Sequence, residues 1–238
     1  MSYRKRVFFL IIGQPISSLG VAALVQANIG LDPWGALHQG LSNVTGLSFG
    51  ICTILVGALA ILISALLKEP LSVGTIVSVI APGIFVDLFQ GMGLIPQMQG
   101  LWSGVALMLL GQVMLALGTY FYMAAAMGAG PRDALMVAVS RPLHLQVGVC
   151  RTVIEITALI LGYFMGAKIG VGTIIAALTI GPALQAVFAL FHYDPKTVHH
   201  DSFSELWTVF RRWVRREPPE APSPVPCPPD NKENGGPA

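Results

Sequence analysis

Gly30-Leu31-Asp32-Pro33-Trp34-Gly35-Ala36-Leu37 and Gly128-Ala129-Gly130-Pro131-Arg132-Asp133-Ala134-Leu135 decide the reading of this chain. They are one element written twice, 98 residues apart, the interval from Pro33 to Pro131. The same shift aligns the flanking sequence without a gap. Gly13-Gln14 meets Gly111-Gln112, Leu19-Gly20 meets Leu117-Gly118, Ser42 meets Ser140, and Gly50 and Cys52 meet Gly148 and Cys150. Further on, Val73-Gly74-Thr75-Ile76 meets Val171-Gly172-Thr173-Ile174, and Gly83 meets Gly181. An apolar bias aligns Leu with Leu by chance; it does not bring Gly, Pro, Gln and Ser into one register. The chain is an internal repeat.

Around these motifs the composition is that of a membrane protein. Of 238 residues 54% are hydrophobic and only 11% charged, and mean hydropathy is +0.69. A soluble domain carries about 25% charged residues. The low charge also excludes a disordered chain or a nucleic-acid binder. Cys52, Cys150 and Cys227 have no paired spacing, which argues against a disulfide framework or a metal site. Six segments have the 17–25 apolar residues needed to cross a bilayer: about 7–27, 49–67, 71–90, 101–127, 147–167 and 169–191. The first follows Arg4-Lys5-Arg6 as a signal peptide would, but the repeat requires it, so it is read as retained.

Cations set the expected direction. With the N-terminus in the cytoplasm, Arg4, Lys5, Arg6, Lys68, Arg132, Arg141 and the cations beyond residue 194 lie inside, and only Lys168 outside, as the positive-inside rule requires. Both termini are then cytoplasmic. Trp34 and Trp102 are expected at the outer interface. Three crossings per half is an odd number, so the second half enters the membrane from the opposite side: an inverted-topology repeat, with a pseudo-two-fold axis in the membrane plane.

The doubled motif opens a short helix in each half. Asp32 is a good cap and Pro33 a good first residue. A helix from Pro33 to about Val44 is about 18 Å long, too short to span. It and Pro131–Ser140 are read as re-entrant or interfacial, with Asp32-Pro33 on the outer side and Pro131-Arg132-Asp133 on the inner. The fold class is therefore all-α: six transmembrane helices as an inverted 3+3 repeat, two short helices, and a C-terminal amphipathic helix.

Ionisable groups within the membrane are expensive, so each needs a reason. Arg151 and Glu155 stand four residues apart on one helix face and can neutralise each other; they are either a polar cavity or a structural pair. Gln14 and Gln112 are repeat mates whose amides bond a neighbouring helix or contact a solute. With Arg132, Asp133 and Asp32 they form the candidate substrate-binding set. Asp87, whose counterpart is Gln185, reads as solvated near the outer interface, and His38 as a lone histidine without co-ligands. The remaining glycines read as helix packing. No catalytic motif, metal cluster or cofactor signature is present in the sequence, so no enzyme is expected.

The membrane domain is expected over 1–193, with repeats at about 7–92 and 105–190. A basic amphipathic helix follows at 194–217: Ser202-Phe203-Ser204-Glu205 is a capping box, and Arg211, Arg212, Arg215 and Arg216 cluster near its end. Residues 202–216 suit an anionic leaflet, or a cytoplasmic partner. The Pro-rich tail at 218–238 has too little apolar surface to fold.

Gly30-Leu31-Asp32-Pro33-Trp34 with Gly40-Leu41-Ser42 and Ser48-Phe49-Gly50, then Gly128 to Asp133, Leu135-Met136, Val147-Gly148, Arg151 with Glu155, and Gly170 to Ile174, together resemble the bacterial YczE/YyaS/YitT family of integral membrane proteins. The likeness covers about 7–191. It implies a multi-pass protein of the bacterial cell membrane, permease-like, and supplies no site residues. The expected function is a transporter for a small polar or anionic solute. The alternative is a non-transporting accessory protein that docks a partner.

Overall fold

The computed structural model describes residues 3–69, 72–128 and 130–192. The expected amphipathic helix and Pro-rich tail lie outside these residues. The described chain is all helical: α1 (Tyr3–Gln26), α2 (Pro33–Thr45), α3 (Phe49–Leu66), α4 (Val73–Gly91), α5 (Leu101–Ala124), α6 (Pro131–Leu143), α7 (Val147–Phe164) and α8 (Val171–Leu190). The bounds of α5 to α8 are those of α1 to α4 moved by 98 residues, to within one residue. Among the described residues six helices, all but α2 and α6, are long and apolar enough to cross a membrane. The protein is a membrane protein with multiple spans.

Helix ends differ from the sequence expectation for local reasons. α1 begins before Val7 and takes in Arg4-Lys5-Arg6. The Arg6 guanidinium donates to the carbonyls of Ala125 and Ala126 at 2.7 and 2.5 Å, a cation set against the last carbonyls of α5. α5 and α7 stop three residues early, at Ala124 and Phe164, each followed by a positive φ, at Ala126 and Gly166. Asp32 occupies the cap position of α2, but its carboxylate makes no capping hydrogen bond.

α1 and α5 form the centre. Lipid gives helices no hydrophobic drive to associate, so close backbone approach must do so. A Cβ on Gly20 would lie 2.6 Å from the Gly111 carbonyl and from the Leu115 amide, and one on Gly13 would lie 2.9 Å from the Gly118 carbonyl. The early part of one helix thus meets the late part of the other, and the pair is antiparallel. α4 packs on α1 and α3, and α8 on α5. Each short helix crosses to the other half, α2 onto α7 and α6 onto α3.

Ala27, Gly30 and Leu31 between α1 and α2, and Ala125, Met127, Gly128 and Gly130 between α5 and α6, are buried, and backbone groups of both segments find partners across the halves. Gly172 N–H donates to the Ile29 carbonyl at 2.8 Å, and Gly74 N–H to the Met127 carbonyl at 3.2 Å. The Ser72 hydroxyl also donates to Met127. Gly30 (φ 120°) and Gly128 (φ 141°) turn the chain at these points. A Cβ there would lie 2.8 Å from Thr173 Oγ1 and 2.7 Å from Thr75 Oγ1 respectively. This is the physical reason for the Val-Gly-Thr-Ile sequence in each half: its glycine and threonine seat the other half's break.

The α1–α5 crossing gives a direct test. Gly20→Val is expected to lower stability in detergent micelles by about 2–3 kcal/mol through overpacking. Gly91→Ala, which has open space around it, is expected to leave stability unchanged or raise it by up to about 1 kcal/mol. Denaturant unfolding followed by circular dichroism separates the two.

Candidate functional site

Two short helices that cross between halves bring their N-termini together. Arg132 Nη1 lies 3.8 Å from Asp32 Oδ2, and the Arg132 guanidinium carbon lies 5.0 Å from the centroid of the Trp34 ring. This corrects the expectation that the two turns stand apart at opposite faces. Trp34 is also not the exposed anchor expected of an interface residue. It is only 5% exposed and packs with Ala60 and Leu135, because α2 carries it inward against α3 and α6. Its indole N–H has no hydrogen-bond partner among the described residues.

A cavity of about 320 Å³ opens at this meeting point. Gln14, Asp32, Arg132, Asp133, Arg151 and Glu155 all line it, together with His38, Thr53 and an apolar wall that includes Val79, Val86, Leu115, Ile180, Leu184 and Phe188. Arg151 Nε donates to Glu155 Oε1 at 2.9 Å, one helical turn along α7. Gln14, 3% exposed, donates from its amide to the Ser78 hydroxyl at 3.1 Å. His38 is buried, with Nδ1 3.3 Å from Thr53 Oγ1 and its ring edge-on to Phe49.

Gln112 does not join them. It is 1% exposed and accepts from the Thr179 hydroxyl at 2.5 Å, between α5 and α8. Its repeat mate Gln14 turns to α4 at Ser78, whose own counterpart is Ala176, so the symmetry of the sequence does not extend to these bonds. Among the described residues no group of three His, Cys, Asp or Glu side chains is placed to hold a metal.

The lining sets three carboxylates, Asp32, Asp133 and Glu155, against two guanidiniums, Arg132 and Arg151. The N-termini of α2 and α6 add about half a positive charge each. The sum is close to zero. Such a wall can orient a solute by hydrogen bonds and by opposite charges placed apart, but it does not concentrate bare anions.

Sequence reasoning missed Asp87. Rather than being merely solvated, its carboxylate accepts from the Gly50 N–H at 2.7 Å and from the Ser48 hydroxyl, and so joins the end of α4 to the start of α3. The only hint in the sequence is that its repeat mate is the neutral Gln185.

The chain matches the "Family of unknown function (DUF6198)" over residues 4–188. It is 30% identical over 181 residues to an "Uncharacterized protein" of Haemophilus influenzae, covering 76% of this chain and 82% of that one. It is similar to the "Uncharacterized membrane protein YczE" of Bacillus subtilis, 30% identical with 74% of this chain and 82% of the relative covered. "Uncharacterized protein YyaS" of the same organism is also 30% identical, with 74% and 89% covered. No solved structure matches. The chain belongs to the DUF6198 family and is a multi-span membrane protein related to YczE and YyaS.

Proposed function

We propose that the protein is a transporter of the bacterial cell membrane that moves a small polar solute by alternating access. Its halves form an inverted 3+3 repeat, both termini lie in the cytoplasm, and α2 and α6 are re-entrant half-helices. The observation that carries this reading is the cavity. Charged side chains from both halves converge on it at the N-termini of two helices too short to span, and ionisable groups at that depth are costly without a function. Discontinuous helices pointing their N-termini at a central site are the usual construction of such transporters. The near-neutral charge balance favours a neutral or zwitterionic solute over a bare anion. No catalytic step is assigned to the chain, and its partners on this reading are the bilayer and the solute.

Two measurements test it. In a background without the native thiols, Arg151→Cys is expected to react with a small water-soluble thiol reagent, and Gln112→Cys to resist it. In proteoliposomes offered a panel of labelled amino acids and small organic acids, uptake of at least one solute is expected, reduced at least about tenfold by Arg151→Ala. No uptake of any solute, or uptake indifferent to Arg151→Ala with folding intact, contradicts the proposal. A chain ending at Asp201 is expected to retain uptake. A cellular phenotype lost on that truncation but kept in Arg151→Ala would support the accessory role through residues 202–216 instead.

A further inference from the structure

The two halves carry the same glycines, one at the start of the third helix and one midway along the fourth, but only one pair is in contact. In the first half Gly50 and Gly83 are both buried. A Cβ on Gly83 would lie 2.5 Å from the Gly50 carbonyl, and one on Gly50 would run into the Gly83 carbonyl. Asp87, about one turn past Gly83, then caps α3 through the Gly50 N–H and the Ser48 hydroxyl. Bonds to a carboxylate are stronger than neutral ones, and a helix N-terminus favours the negative charge.

The corresponding residues of the second half are Gly148, Gly181, Gln146 and Gln185. Gly148 and Gln185 are exposed. Beyond its chain neighbours and the adjoining backbone of its own helix, neither Gly148 nor Gly181 has an atom of the described residues within 4 Å of where its Cβ would stand. Helix α3 packs on α4, whereas α7 packs on α2 and α6. A glycine inside a helix, as Gly181 is, costs about 1 kcal/mol relative to alanine, and among the described residues neither Gly181 nor Gly148, in the first turn of α7, has a packing neighbour that calls for it. Contact in another conformation would supply one.

We propose that Gly148 and Gly181 close α7 on α8 in a second state of the protein while α3 and α4 part, and that Asp87 is the latch holding the present state. This rests on the alternating-access reading and adds to it which end is shut and by what. On the N-in orientation the shut end is the outer one, so the cavity faces the cytoplasm. Gln185, a neutral cap at best, holds the opposite closure less firmly. Closure also reaches the cavity. Gly57, the counterpart of Glu155, sits where a Cβ would lie 3.2 Å from Val79 on α4, so bringing α8 equally close to α7 must swing the Glu155 side chain aside.

The test uses the full chain in membranes, with Cys52, Cys150 and Cys227 replaced and Gln146→Cys/Gln185→Cys introduced at the positions matching Ser48 and Asp87. A disulfide requires the two Cα atoms within about 7 Å. Oxidation without added solute is expected to give little cross-link, and Asp87→Asn to raise the yield about fivefold by weakening a charge-assisted bond. Ser48→Ala, which removes one latch bond and leaves α4 untouched, is expected to shift the yield in the same direction if Asp87→Asn folds poorly. A pair that never cross-links, or a yield indifferent to both variants, overturns the proposal and leaves Asp87 a helix cap. A latch-dependent cross-link in a protein that moves no solute keeps the gate and removes transport; uptake with no cross-link response does the reverse.

Discussion

Hydrocarbon offers no partner to a free backbone amide or carbonyl, so a chain that breaks a helix inside a bilayer must satisfy the break with its own groups. This protein interrupts its helices twice, after α1 and after α5, and on the proposed reading both breaks lie inside the bilayer. Each break is satisfied by the start of the last helix of the opposite half: Gly172 N–H on the Ile29 carbonyl, and Gly74 N–H on the Met127 carbonyl. Neither half can therefore adopt its shape alone. The positive-φ glycines at 30 and 128 and the Val-Gly-Thr-Ile repeats follow from that exchange.

The same breaks create the site. Because α2 and α6 start at buried turns, their N-termini meet between the halves with Asp32, Arg132 and Trp34 in contact range. A cavity with charged groups set in a largely apolar wall then opens beside the Arg151–Glu155 pair on α7. The first half replaces that pair with Thr53 and Gly57, and there α3 and α4 fit tightly. A shared scaffold with unlike side chains at matched positions can be shut at one end and open at the other, which links the packing asymmetry to a proposed transport cycle.

Much of this was legible in the sequence, for a physical reason. Span length is set by bilayer thickness, and a repeat that aligns Gly, Pro and Gln survives any apolar bias; the eight helix bounds follow the 98-residue shift almost residue for residue. What a sequence does not reveal is which neighbour a polar side chain faces. Asp32 reads as a cap but turns to Arg132; Trp34 reads as an interface anchor but is buried; Gln112 reads as the equal of Gln14 but bonds Thr179 outside the cavity. Asp87 reads as solvated because its partners, Ser48 and Gly50, lie on a different helix. Each miss concerns a contact between helices, where periodicity along one helix carries no information.

Alternating access of the proposed kind requires the two halves to cross the membrane in opposite directions. Leu47 and Leu145 are repeat mates, both exposed, at the turns joining α2 to α3 and α6 to α7. Single cysteines at these positions, in a chain otherwise free of thiols, should be treated with a membrane-impermeant maleimide on intact cells. Leu47→Cys is expected to be labelled at once and Leu145→Cys only after permeabilisation. Labelling of both from the outside, or of neither until the cells are opened, would contradict crossing in opposite directions.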